Sequence, residues 1–268
     1  MLFRRKPVRP TAGDVAHRVL ALEHVTRYAY LTPTRDMMKR VQSNWSARSR
    51  AQFARESGSV RDEYWAPALR AGLWRHLSPA EKAFARTTPA SMDRQAQMDA
   101  GWRIEALQAL MWALGLVEAL PPYDTQAPEG LLTDLRDAEM RDFALSARLR
   151  PEAEVDRARD IAELWHWRSR TRQLIEEGRP LEPDEKMIEA GLRTFDDIVR
   201  MTAREASRDG MIPPAIDEDF PAKGKAYRDL TADEWSEVGS ITVERHFALN
   251  WLCGYAPRNR WDDTPTDT

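Results

Sequence analysis

The chain has 268 residues, with 40 Lys and Arg against 43 Asp and Glu, for a net charge of −3. The two signs are interspersed, which argues against a basic nucleic-acid footprint and against a solvating acidic tail. A single cysteine, Cys253, excludes an intramolecular disulfide and fits a reducing compartment such as the cytoplasm.

The basic start, MLFRRKPVRP, leads into no apolar run of the secretory-signal kind, and residues 1–12 are expected to form a loosely held tail. Asp14 is placed to cap a first helix running to about Leu31. A second helix is expected from Pro33 or Thr34 to about Arg55, with an outer face rich in Arg, Ser and Gln. Gly58 punctuates the chain, and a third helix covers 61–76, where Pro67 shortens or kinks it. Ser78-Pro79-Ala80-Glu81 has the form of a capping box with Pro at the first helical position, so a short helix follows.

Ser91 starts a long helix, 92–120, that Pro121-Pro122 ends. From Ala106 to Val117 only Gln108 is polar. A helix apolar on every side must lie inside a protein. This run falls short of the roughly 18–20 apolar residues that span a bilayer, and no other run reaches that length. A weaker helix follows over 131–149, then a long one over 151–177 closed by Gly178, and two more over 183–192 and 194–207. Residues 211–229 hold Pro213, Pro214 and Pro221 and no helical period. They are expected as a long loop with a short extended piece at 225–227. Thr231 to Glu234 forms a second capping box, Gly239 weakens the helix it opens, and ITVERHFALNWLCGY carries that helix to about Gly254.

No strand of period two and no internal repeat appears. The fold class is therefore all-α: a single multi-helix globular domain around a buried central helix (92–120) and a buried C-terminal helix (240–254). Its N-terminal helices fill 13–78 and its core 79–268. Ten tryptophans spread along the chain suit bulky packing between helices.

Three stretches carry a resemblance. They are WRIEALQALMWALGLVEAL at 102–120, VERHFALNWL at 243–252 and the terminal WDDTPTDT. In order and spacing they resemble the bacterial domain-of-unknown-function family DUF4272, over roughly 80–268. The resemblance implies a single-domain protein and no particular chemistry.

The second of these stretches concentrates the polar residues of interest. Wound at 100° per residue, it mixes Glu244, Arg245, His246 and Asn250 with apolar side chains on every face. Buried charge must be paired. Partners on offer are Arg103 and Glu105 of the central helix, Arg168 and Arg172 of the 151–177 helix, and Asp262, Asp263 and Asp267 of the tail. A structural ion-pair network is the favoured reading of this cluster, and a polar binding pocket is the alternative.

Catalytic and metal-binding motifs are missing. His246 lies seven positions before Cys253 on one helix, about 10 Å along the axis, too far for a dyad. His17 and His24 are also seven apart, so there is no HExxH pair, and no metal or cofactor is expected. Function then divides two ways. One is an interaction protein whose partner is another protein rather than nucleic acid or membrane. The other is an uncharacterised enzyme or small-molecule binder using a pocket between the 244–250 segment, Arg103/Glu105 and the terminal aspartates.

Overall fold

A computed structural model describes residues 8–132 and 137–267. The fold is all-α apart from one tiny hairpin. Helix α1 (Ala12–Leu31) begins two residues before the expected cap. Thr11, not Asp14, is the N-cap, and Asp14 closes the capping box from the third helical position.

The next two helices are divided differently from the expectation. The chain breaks at 43–46, giving α2 (Arg35–Gln42) and α3 (Ala47–Arg70), whose N-cap is Ser46. Helix α3 then runs through Gly58, where a side chain would meet nothing within 4 Å. A glycine in a helix costs only about 1 kcal/mol relative to alanine, which a helix of 24 residues absorbs. Pro67 sits in its last turns, and a 3-10 turn (Leu73–His76) follows. The capping box at Ser78 opens α4 (Pro79–Ala85) as expected.

The central helix, α5 (Arg94–Ala113), is shorter than 92–120. Its end is set by Gly115, not by the proline pair. Gly115 takes a left-handed φ of 71°. Its N–H donates to Trp112 O and that of Leu116 to Met111 O, the two bonds of a Schellman stop. Helices α6 (Asp137–Ser146), α7 (Glu152–Glu176), α8 (Glu185–Glu189) and α9 (Phe195–Arg208) follow. The expected helix over 131–149 crosses 133–136, which lie outside the described residues. The long loop holds strands β1 (Pro221–Ala222) and β2 (Lys225–Ala226), paired antiparallel around Lys223 and Gly224, both at positive φ.

Helix α10 (Ala232–Leu252) passes Gly239 without a break. There α10 crosses α7 so closely that a Cβ on Gly239 would stand 3.1 Å from Ser169 Oγ. The glycine is a contact point between helices.

Helix α5 runs through the middle, with Ile104, Ala106, Leu107, Ala109, Leu110 and Ala113 fully excluded from solvent. It packs against α1 on one side and α10 on another, and α10 packs in turn on α7. The larger core joins Val15 and Leu22 of α1 to Leu107, Trp165, Phe220, Tyr227, Leu249 and Trp261. A second core lies on the other face of α1, where Leu20, Val25 and Tyr28 meet Trp65, Leu73 and Phe84. Of the tail expected to be loose, residues 1–7 lie outside the described residues. Arg9 is held, donating to Asp156 Oδ1 at 2.6 Å.

Candidate functional site

The polar residues singled out in the sequence meet along the α5–α10–α7 contact, but as separate pairs. At its centre Arg245 donates through Nε and Nη2 to Glu105 Oε2, at 2.9 and 2.8 Å. Glu105 Oε1 accepts the Ala127 N–H at 2.7 Å. The guanidinium also donates to the carbonyls of Pro121, Pro122 and Thr125 and lies over the Tyr123 ring. One buried cation thus ties α10 to α5 and holds the 121–127 turn against both. Beside it Arg103 donates to Glu244 Oε2 at 3.0 Å and stacks on Phe247. Burial pushes the Glu244 carboxyl above its ordinary range, against the pull of Arg103.

His246 and Asn250 belong to a second network, facing α7. The Asn250 amide is oriented from two sides: Arg159 Nε donates to its Oδ1 at 2.9 Å, and its Nδ2 donates to Pro265 O at 2.9 Å. Nδ2 also lies 2.9 Å from His246 Nε2, which must therefore accept. That leaves the proton of neutral His246 on Nδ1, which donates to His166 Nδ1 at 2.9 Å. Burial, then the neighbouring His166 and Arg159, depress His246 to about 3. Both rings are neutral near pH 7, and the C-terminal tail is strapped to α10 through Pro265.

Arg168 pairs with a residue the sequence did not single out. Its Nε and Nη2 donate to Asp219 Oδ1 and Oδ2, at 2.6 and 2.7 Å, with both side chains buried. Asp219 also accepts from the Phe220 and Arg228 amides. Burial alone would raise its pKa, but Arg168 and the two amides outweigh that and hold it below the ordinary range. Arg172 serves the same loop, donating to Tyr227 O and Leu230 O. In sequence Asp219 is one acid of the run Asp217-Glu218-Asp219, and only its place before the apolar Phe220 sets it apart.

The three aspartates of the tail do not join these networks. Asp262 accepts the Ala80 N–H at 2.9 Å at the start of α4, Asp263 pairs with Arg260, and Asp267 is exposed. Asp262 and Asp263 line a cleft of about 500 Å³ with Arg18, His17 and His76. None of Glu105, Glu244, Arg245, His246 or Asn250 lines that cleft or any of four others of 400–730 Å³ among the described residues. No three His, Cys, Asp or Glu among the described residues are grouped to hold a metal ion.

A different region stands out at the surface. No residue from 33 to 56 is buried, and in this stretch only Met38, Gln42, Trp45 and Phe53 are even half-covered. Here α2 and the first half of α3 form an arm with its own small aromatic contact, Trp45 edge-on to Phe53 at 5.7 Å. The arm carries six basic residues (Arg35, Lys39, Arg40, Arg48, Arg50, Arg55) and two acidic ones (Asp36, Glu56). Its net charge of +4 stands against −7 for the rest of the chain. Charges that read as interspersed are therefore separated in space.

The profile of one family, described as a domain of unknown function (DUF4272), matches residues 4–202. The match covers most of the chain, including α1 to α7 and the arm, and the chain belongs to this family. Its extent corrects the one expected from the three stretches. The N-terminal helices lie inside the match, whereas 243–252 and the terminal aspartates lie beyond it. No curated protein matches the chain, and no solved structure does. Among the described residues, no helix is long and apolar enough to cross a membrane.

Proposed function

We propose that this is a helical interaction protein that docks through the α2–α3 arm onto an acidic face of another protein. One observation carries the reading: from 33 to 56 the chain folds into two helices that bury nothing in either core, yet display a concentrated positive charge. Arg35, Arg48, Arg50 and Arg55 make no ion pair among the described residues. Exposed Met37 and Val41 between these cations add apolar area. Complementary charge of this kind speeds encounter and sets register.

The interior polar residues fit a structural role in this reading. Arg103, Glu105, Arg168, Glu244, Arg245, His246 and Asn250 are engaged by side chains or loop carbonyls and line none of the five clefts described above. None of the five clefts described above opens onto the 244–250 segment, which does not favour the pocket-binding alternative. The reading takes the chain as one domain working in the bacterial cytoplasm, consistent with a lone buried cysteine.

The test is quantitative affinity capture from source lysate with the parent and with Arg48→Glu/Arg50→Glu/Arg55→Glu. A protein of acidic surface should be enriched on the parent and lost on the variant, and the purified pair should weaken as salt rises. Equal capture by both chains overturns the proposal.

A further inference from the structure

The loop 211–229 does more than cover the core. Met211, Pro213, Pro221 and Gly224 form one wall of a cavity of about 730 Å³, larger than the other four. The opposing lining comes from the 118–124 turn and from α7. Three rings contribute: Trp112, Tyr123 and Trp165. Tyr123 and Trp165 stack nearly parallel, 11° apart at 5.4 Å between centroids. Size and lining match a small-molecule site, which is concave, mostly apolar and built around few polar groups.

Its walls are held in place. Arg245 fixes the carbonyls of Pro121 and Pro122 from beneath, and Asp124 accepts the Lys223 N–H at 2.6 Å, joining the two lips. The lining also contains an unmet polar group. The Tyr123 hydroxyl is buried and has no partner among the described residues. Charge at the mouth is one-sided. Glu118, Asp124 and Glu154 lie there with a single cation, Arg157, already engaged by the carbonyls of Asp209 and Gly210. Arg150, outside the lining, covers one face of the Trp112 ring at 5.1 Å from its centroid; it approaches Glu154 at 3.5 Å, and its shorter bonds run to the carbonyls of Trp112 and Glu118.

We propose that this cavity binds a planar aromatic amine of about the size of an indole. The ring lies among Trp112, Tyr123 and Trp165, and the ammonium group reaches the carboxylates of the rim. The site is independent of the α2–α3 arm and stands or falls apart from it.

Three probes with one ring system test this on the full chain: tryptamine, indole and indole-3-propionate. Binding is read from the indole N–H signals of Trp112 and Trp165 in nitrogen-labelled protein, assigned by Trp→Phe variants. Tryptamine should shift both signals saturably, indole should do so more weakly, and indole-3-propionate should bind about tenfold or more below tryptamine. Asp124 is taken up by the Lys223 N–H and stays in place, so in Glu118→Gln/Glu154→Gln, whose altered side chains are exposed, the advantage of tryptamine over indole should fall severalfold while indole binding stays. The arm variant should bind all three as the parent does. The proposal is overturned if no probe moves these two signals at millimolar concentration. It is equally overturned if the propionate binds as well as the amine, or if the rim variant keeps the preference in full.

Discussion

Arg245 and Glu105, 140 positions apart in the chain, meet with both side chains wholly excluded from water. Removing one partner of such a pair leaves a charge buried alone, which costs about 3–5 kcal/mol. In a chain of this size that lowers Tm by about 2–4 °C per kcal/mol. Glu105→Leu and Arg245→Met should therefore each melt roughly ten degrees below the parent. Glu105→Leu/Arg245→Met should lose less than the two added together, because no lone charge remains. Calorimetric melting of the four proteins checks this, and simple additivity would contradict the pairing.

The histidine network predicts a pH dependence. His246 titrates at about 3 in the folded chain, against an ordinary value of 6.5. Between those values the unfolded chain binds a proton that the folded chain refuses. Stability from this group is therefore complete above about pH 6.5 and lost progressively as pH falls towards 3. At about 1.4 kcal/mol per unit, His246 alone costs roughly 2–3 kcal/mol by pH 4.5. His166 and His76 are depressed too and act in the same direction. Glu244 is raised, so its contribution runs the other way. Denaturant midpoints from pH 4.5 to 8 should be flat above 6.5 and fall below it. His246→Gln should flatten the fall without abolishing it.

How much of this was legible in the sequence depended on distance along the chain. Local signals were readable: the capping boxes at Ser78 and Thr231 stand where their residues put them. So was the burial of α5, since a helix without a polar face has only one place to go. Glycine was harder. Gly58 reads as a break and Gly239 as a weak point, and both lie inside helices, whereas Gly115 reads as one more residue of an apolar run and ends α5. The difference lies in what surrounds each glycine: Ser169 of α7, whose Oγ would stand 3.1 Å from a Cβ at Gly239, and a left-handed turn at Gly115. The polar cluster was legible as a set of residues needing partners. Two of the partners were on offer there, Glu105 for Arg245 and Arg103 for Glu244; Asp219, His166 and Pro265 were not, because tertiary contacts that leave no local pattern bring them there.

Asp219 should matter more to its loop than its place in an acidic run suggests. It receives two bonds from Arg168 and two from backbone amides. Asp219→Asn keeps the shape but removes the charge and turns one acceptor into a donor facing Arg168. The 211–229 loop should open more readily, so limited proteolysis there should speed up severalfold while α1 and α5 stay protected. Unchanged cleavage would mean the loop is held without this charge, by the buried Phe220 and Tyr227 and by its bonds to Arg172 and Asp124.

Cys253 offers a probe of global opening. It is buried at the end of α10 with Sγ 3.3 Å from Asp156 Oδ1, and burial with that carboxylate pushes the thiol up to about 12. Thiolate is the reactive form, so the native thiol should be inert at pH 8. Labelling by an aromatic disulfide reagent should track unfolding in denaturant, with the midpoint given by circular dichroism. Fast labelling of the native protein would contradict the burial.

The charges of the arm should be open to rewriting without touching the fold. Arg48, Arg50 and Arg55 are exposed, make no ion pair among the described residues and lie outside both cores. Surface changes of this kind stay within about 0.5 kcal/mol. Glutamate also forms helices about as well as arginine does. Acids in the first turns of α3 favour its dipole, so Arg48→Glu/Arg50→Glu/Arg55→Glu should melt at or slightly above the parent. Capture of the partner should nevertheless fail. That combination, binding lost with the fold kept, separates a docking surface from a structural one. A steep drop in Tm would show instead that these cations support the body of the protein.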